Sequence, residues 1–313
     1  MGRIAYDEFS MFGENIAEYS LTASAHPVVS RVTTELADGR QVSALKWGSE
    51  SPRLVLVHGT AQNAHTWDTV ALALGMPLLA IDLPGHGHSD WRQDASYTPQ
   101  TLANDLAPVV AQHAPDAVAI VGMSLGGLTC LALAHGNPSL VRHLVMVDIT
   151  PGVTSKKAKA VLDFINGPQS FASFDELLAR TKEHNPTRSE SSLRRGILHN
   201  ARQLDDESWE WRYDRRGRSN NENAHVRGRE SPLLLAPIHS YCGKRSRRCT
   251  ANSCSFAVVY LRWWTTKTSQ NSSAASRMPS SKWSTERVTA CRGIVRSSLP
   301  RSSLASADAT LHR

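Results

Sequence analysis

The chain has 313 residues and a formal charge of +7, with 35 Lys and Arg against 28 Asp and Glu. That length allows one large domain plus an insertion, and no apolar run reaches the roughly 18 residues of a membrane-spanning helix. The N-terminal stretch MGRIAYDEFSMFGENIAEYS has neither a basic leader nor an apolar segment, so no signal peptide is expected and the expected location is cytoplasmic.

In chain order, 28–35 and 41–47 read as strands flanking Ala37-Asp38-Gly39-Arg40, a hairpin signal. Residues 53–57 form an apolar strand that ends in His58-Gly59-Thr60. A second such strand, 77–82, runs into Leu83-Pro84-Gly85-His86-Gly87-His88-Ser89. Segments 117–121 and 141–147 complete the set, with helical stretches around 65–74, 99–113 and 125–135 between them. Apolar strands alternating with helices predict an α/β fold, a mostly parallel, doubly wound sheet covered on both faces.

The most informative segment is 118–128, Val-Ala-Ile-Val-Gly-Met-Ser-Leu-Gly-Gly-Leu. A buried strand runs straight through Gly122-x-Ser124-x-Gly126 into a helix, which is how a serine becomes a nucleophile on a sharp strand-to-helix turn. The two glycines remove side chains where the turn crowds its neighbours. Ser124 is expected in a strained conformation, its hydroxyl at the positive end of a helix. The plain alternative is a glycine-rich turn that happens to contain serine. Trp67 is expected in the core or lining a pocket.

His58-Gly59-Thr60, Asp82-x-Pro-Gly-His-Gly-x-Ser89 and Gly122-Met-Ser-Leu-Gly-Gly127, in that order and spacing, resemble the α/β-hydrolase superfamily over about residues 28–150. The resemblance implies an oxyanion hole made by the backbone N–H groups of Thr60 and Leu125. It implies that the loop carrying His86 and His88 shapes the pocket wall rather than supplying a base. A serine at the elbow, where related epoxide and halide enzymes carry aspartate, points to acyl transfer on an ester, lactone, thioester or diketone, with no cofactor and no metal. Some members keep the catalytic acid after the strand that precedes their cap, a position that matches Asp148.

After Asp148 the pattern changes. Segments 157–166, 174–183 and 189–203 read as amphipathic helices, and Ser173-x-x-Glu176 fits a capping box. A helical insertion here resembles the cap of many such hydrolases. The expected organisation is a core over 1–150, a helical cap over 151–215 and an aberrant tail over 216–313. The insertion's apolar face would contact a small-molecule substrate; neither a nucleic acid nor a membrane is the expected partner.

The tail departs from the family pattern. Residues 241–313 hold 13 Lys and Arg against 2 Asp and Glu, whereas 1–240 hold 22 against 26. Four of the five cysteines (Cys242, Cys249, Cys254 and Cys291) lie there at spacings that match no zinc pattern. The segment contains 15 serines and no evident strand. It lacks the two further strands and the post-strand histidine that the family requires, which would leave a parallel sheet edge exposed. A disordered, basic arm is one reading. The other is a shifted reading frame. Joining the third base of each codon to the first two of the next gives, from the Asn252/Ser253 junction, a run of aliphatic or Phe codons. Trp263-Trp264-Thr265 is forced to Val-Asp. The junctions from Thr285 to Ala290 then permit Gly-Ala-Gly-His-Ser, a histidine loop of the family's kind. One base lost, or two gained, between about Asp214 and Ser240 would account for this. In the hidden frame the first strand ends in Gly-Gly and the five codons that follow allow no Asp or Glu, which favours Asp148 as the acid. As written, the chain is expected to be a serine hydrolase without its base, and so inactive or impaired; the alternative is a non-catalytic small-molecule-binding relative.

Overall fold

A computed structural model describes residues 3–148 and 165–216, together with the backbone of 255–259. Strands β1 (Val29–Glu35) and β2 (Gln41–Trp47) form the expected antiparallel hairpin. Gly39 sits in its turn at φ +82°, a conformation that favours glycine. Strands β3 (Leu54–Val57), β4 (Leu78–Ile81), β5 (Ala119–Met123) and β6 (His143–Val147) follow. They join a sheet in the order β1-β2-β4-β3-β5-β6, antiparallel across β1-β2 and β2-β4 and parallel beyond.

Helices α2 (Asp68–Leu74), α3 (Pro99–His113) and α4 (Leu125–Gly136) connect these strands. The start of α3 is fixed locally: Thr98 accepts from the Thr101 amide, and Pro99 takes the first turn, where no N–H is needed. The parallel strands are buried on both faces. In β3, Val55 and Val57 enter one core with Leu102, Leu106 and Leu133, while Leu54 and Leu56 enter another with Trp67 and Val70. Trp67 is fully buried, as expected of a core residue.

Helix α1 (Phe12–Tyr19) was not anticipated. Its Phe12 packs on Trp47 with ring centroids 5.0 Å apart, so one short amphipathic turn of sequence is stabilised by tertiary contact.

Beyond the core, helices α5 (Phe174–His184) and α6 (Glu190–Asn200) match the expected amphipathic segments. The cap forms in part: Ser173 Oγ accepts from Glu176 N at 3.2 Å, while the Glu176 carboxylate accepts from Ala172 N at 2.8 Å, one residue before the cap, rather than from Ser173 N. One boundary needs correction. Residues 201–203, expected in the helix, turn into strand β8 (Ala201–Gln203), which pairs antiparallel with β9 (Trp209–Trp211). Strand β7 (Ser170–Phe171) joins β9 from the other side, so the insertion carries a small sheet as well as helices. The tryptophans at 209 and 211 alternate with Glu210, a period of two that signals a strand. Most of the helix expected over 157–166 lies outside the described residues.

A second correction concerns the tail. Strand β10 (Ser255–Val259) pairs parallel with β6, from Ser255 beside His143 to Val259 beside Val147. The edge expected to be exposed is therefore paired, and the sheet has seven strands, ending β6-β10. Five residues in a serine-rich background were too short a run to stand out as a strand. The histidine loop of the shifted frame lies outside the described residues. Among the described residues no helix is long and apolar enough to cross a membrane.

Candidate active site

Ser124 lies between β5 and α4 at φ +51° and ψ −119°, the strained elbow expected of it. The flanking glycines are required by backbone contacts. A Cβ on Gly122 would lie 2.5 Å from Gly126 O, and one on Gly126 would lie 2.4 Å from His58 O and 2.5 Å from Val57 O. The Ser124 amide donates to Val147 O at 3.0 Å, tying the elbow to the neighbouring strand. The side chain is half-buried.

The loop after β3 lies against this elbow. A Cβ on Gly59 would be 3.2 Å from Ser124 Cβ, a tight contact that glycine avoids as the two segments approach. The next residue is Thr60. Neither the Thr60 amide nor the Leu125 amide at the start of α4 has an acceptor among the described residues. Three contacts hold the loop. Gln62 Oε1 accepts from Gly59 N at 2.9 Å, and Asn200 Nδ2 donates to Ala61 O at 2.8 Å. Asn63 Nδ2 donates in turn to Asn200 Oδ1 at 3.1 Å. Asn200 closes α6, so the insertion fixes a loop of the core. This clamp was invisible in sequence because its halves come from distant segments.

His58 is a structural member of the site. Burial pushes its pKa down, and its Nε2 accepts from Leu83 N at 2.9 Å while Nδ1 donates to Gly59 O at 2.7 Å. His86 is buried between His58 and Tyr213, with ring centroids 5.3 and 6.4 Å away. His88 is held down to about 4 by burial and by the Arg31 charge, despite the opposing pull of Asp82 and Glu8. Among the described residues no histidine is hydrogen-bonded to Ser124 Oγ.

Asp148 follows β6 by one residue, at φ +55°, and is exposed. Met123 and Val147 are paired in register. Ser124 and Asp148 are therefore the next positions on adjacent parallel strands, at the same carboxyl edge of the sheet, where open α/β sheets bind their ligands.

Asp82 closes β4 and organises the wall loop. It is fully buried, accepting from Arg31 Nη1 at 2.8 Å, Ala64 N at 2.7 Å and His88 N at 3.1 Å. Burial works to raise its pKa, but the Arg31 charge and the two amides hold it below the ordinary carboxylate range. That stabilisation is complete above the unfolded carboxylate pKa and is lost as pH falls through the lower folded value. Replacing Arg31 with Met should destabilise by about 3 kcal/mol at neutral pH, because a buried carboxylate loses its cation. The deficit should shrink below about pH 4, where Asp82 can protonate. Urea unfolding at the two pH values checks this; an equal deficit at both would assign the effect to packing of the arginine stem.

Among the described residues one group carries donors suited to a metal: His65, Asp68 and His199, whose ligand atoms all lie within 4.8 Å of one another. No metal site was expected from sequence, where His65 and Asp68 stood out only as neighbours of Trp67.

A family model described as alpha/beta hydrolase fold matches residues 52–238. Esterase Rv0045c of Mycobacterium tuberculosis is 46% identical over 214 residues, 66% of this chain and 70% of that protein. Protein phosphatase methylesterase 1 of Bos taurus is 28% identical over 170 residues, 51% of this chain and 44% of its own length. Among solved structures, one reported as a novel esterase, Rv0045c from Mycobacterium tuberculosis, superposes with TM-score 0.61 at 45% identity, covering 68% of this chain and 72% of that one. Another, from work titled as transition metal inhibition and refinement of the same esterase, gives TM-score 0.60 over 67% and 73%.

Proposed function

Because the chain belongs to the α/β-hydrolase fold family, we propose that this hydrolase transfers an acyl group from an ester-type substrate to water through Ser124. The observation that carries the reading is the elbow itself. Ser124 is held at φ +51° at the start of a helix, beside two backbone amides, Thr60 and Leu125, that have no acceptor among the described residues. Ser124 Oγ would attack the carbonyl carbon while the carbonyl oxygen gathers charge between the two amides. The bond to the leaving group then breaks, and water hydrolyses the acyl-enzyme. Asp148 would orient the histidine that takes the serine proton in a chain that carries one. The substrate class is a small ester, lactone, thioester or diketone. The esterase and methylesterase relatives favour the ester.

The reading also holds that this polypeptide lacks its base. No histidine meets Ser124 among the described residues, and the family match ends at residue 238, beside the onset of the basic, serine-rich segment. The second reading, a binding protein that kept the pocket, rests on the same observation. A fluorophosphonate probe separates them. Slow labelling at Ser124 that vanishes in Ser124→Ala fits an oxyanion hole without a base, whereas no labelling favours the binding protein. Rapid labelling, at the rate of ordinary serine esterases, would show that a base is present and sink the impairment.

A further inference from the structure

We propose that His65, Asp68 and His199 form a binding site for a divalent transition-metal ion of the zinc class, bridging helix α6 to the segment that follows the Thr60 loop. The three side chains are buried, at 3%, 3% and 7% side-chain exposure. They come from two segments distant in sequence. His65 lies in a short 3₁₀ turn (Ala64–Trp67) and Asp68 opens α2, while His199 comes from the last turn of α6.

The donor set points to the ion. Two imidazoles and one carboxylate suit zinc, cobalt or nickel, whereas magnesium and calcium want oxygen ligands throughout. Asp68 Oδ2 accepts from His65 Nδ1 at 2.8 Å, a hydrogen bond whose proton the metal would displace, and lies 3.9 Å from His199 Nε2. These values bracket the roughly 3.3 Å that separates ligand atoms placed about 2.0 Å from a tetrahedral ion. The imidazole rings stack nearly parallel, 3.7 Å apart at 13°, and must tilt so that both lone pairs meet on the metal.

Two further observations favour a ligand here. Asp68 Oδ1 is buried with no hydrogen-bond partner, a group that needs a reason in a native interior. The outer nitrogen of each imidazole is also already held by an oxygen. His199 Nδ1 lies 2.9 Å from Tyr6 Oη, and His65 Nε2 lies 3.2 Å from the Glu8 carboxylate. Metal-ligating histidines are oriented in this way, with the ring nitrogen away from the ion donating to an oxygen. Occupancy would fasten α6, whose Asn200 clamps Ala61 and Asn63, to the core.

The test uses the full chain, stripped with chelator and titrated with cobalt chloride while visible absorption is followed. The expected result is a d–d band of four- or five-coordinate cobalt without thiolate charge transfer, lost in His199→Gln. Tyr6→Phe keeps all three ligands and should weaken cobalt binding about 10- to 100-fold, so it decides the matter if His199→Gln fails to fold. Absence of the band overturns the site. So does a spectrum dominated by thiolate charge transfer and unchanged in both variants, which would assign the metal to cysteines.

Discussion

Inserting one base between codons 214 and 240 should raise kcat/KM on a short-chain aryl ester by at least about 10³-fold, the scale on which a general base contributes to acyl transfer. On the proposed mechanism, what the chain already has would not suffice. The elbow, the Thr60 and Leu125 amides and the edge position of Asp148 would supply orientation and oxyanion stabilisation, and these alone would leave only a residual acceleration. The shifted frame offers Gly-Ala-Gly-His-Ser after a strand, which would bring an imidazole to the carboxyl edge. The measurement is steady-state hydrolysis by the two chains, with Ser124→Ala in the restored frame as the control. A restored chain no more active than the original would sink the frame reading. A restored chain whose new activity survives Ser124→Ala would sink the nucleophile.

Much of the core was legible because its signals are local. Buried parallel strands such as Leu54–Val57 and Leu78–Ile81 read as short apolar runs bounded by turn residues. The Thr98-Pro99 start and the Gly122-x-Ser124-x-Gly126 elbow declare themselves by steric need. What stayed hidden depends on pairs distant in sequence: the Asn200 clamp on Ala61 and Asn63, Arg31 against Asp82, and the His65–Asp68–His199 group. Apart from Asp82, which opens the Asp82-x-Pro-Gly-His-Gly-x-Ser89 motif, none of these residues is unusual in its own window. Strand β10 stayed hidden for another reason, since four apolar positions amid serines carry little periodicity until β6 offers them a partner.

Gly126→Ala should destabilise the protein by about 3 kcal/mol or more, lowering Tm by roughly 10 °C, whereas Ser124→Gly should raise it. The contrast follows from opposite backbone demands two residues apart. At position 126 a methyl group would sit 2.4 Å from His58 O and 2.5 Å from Val57 O. Both are main-chain atoms of the β3 end, which cannot turn aside as a side-chain tip can, so α4 would have to lift off the strand. At position 124 the strain runs the other way. A serine at φ +51° and ψ −119° occupies a region that glycine enters freely and other residues enter at a cost of about 1–3 kcal/mol. Thermal melts of the three chains under one buffer check both signs. If Ser124→Gly lowers Tm, the elbow is not storing strain, and the hydroxyl is held by a stabilising contact instead. If Gly126→Ala is neutral, the close packing of α4 on β3 is wrong. The two substitutions together ask whether the fold spends stability to present one serine at the mouth of its sheet, as a nucleophile requires.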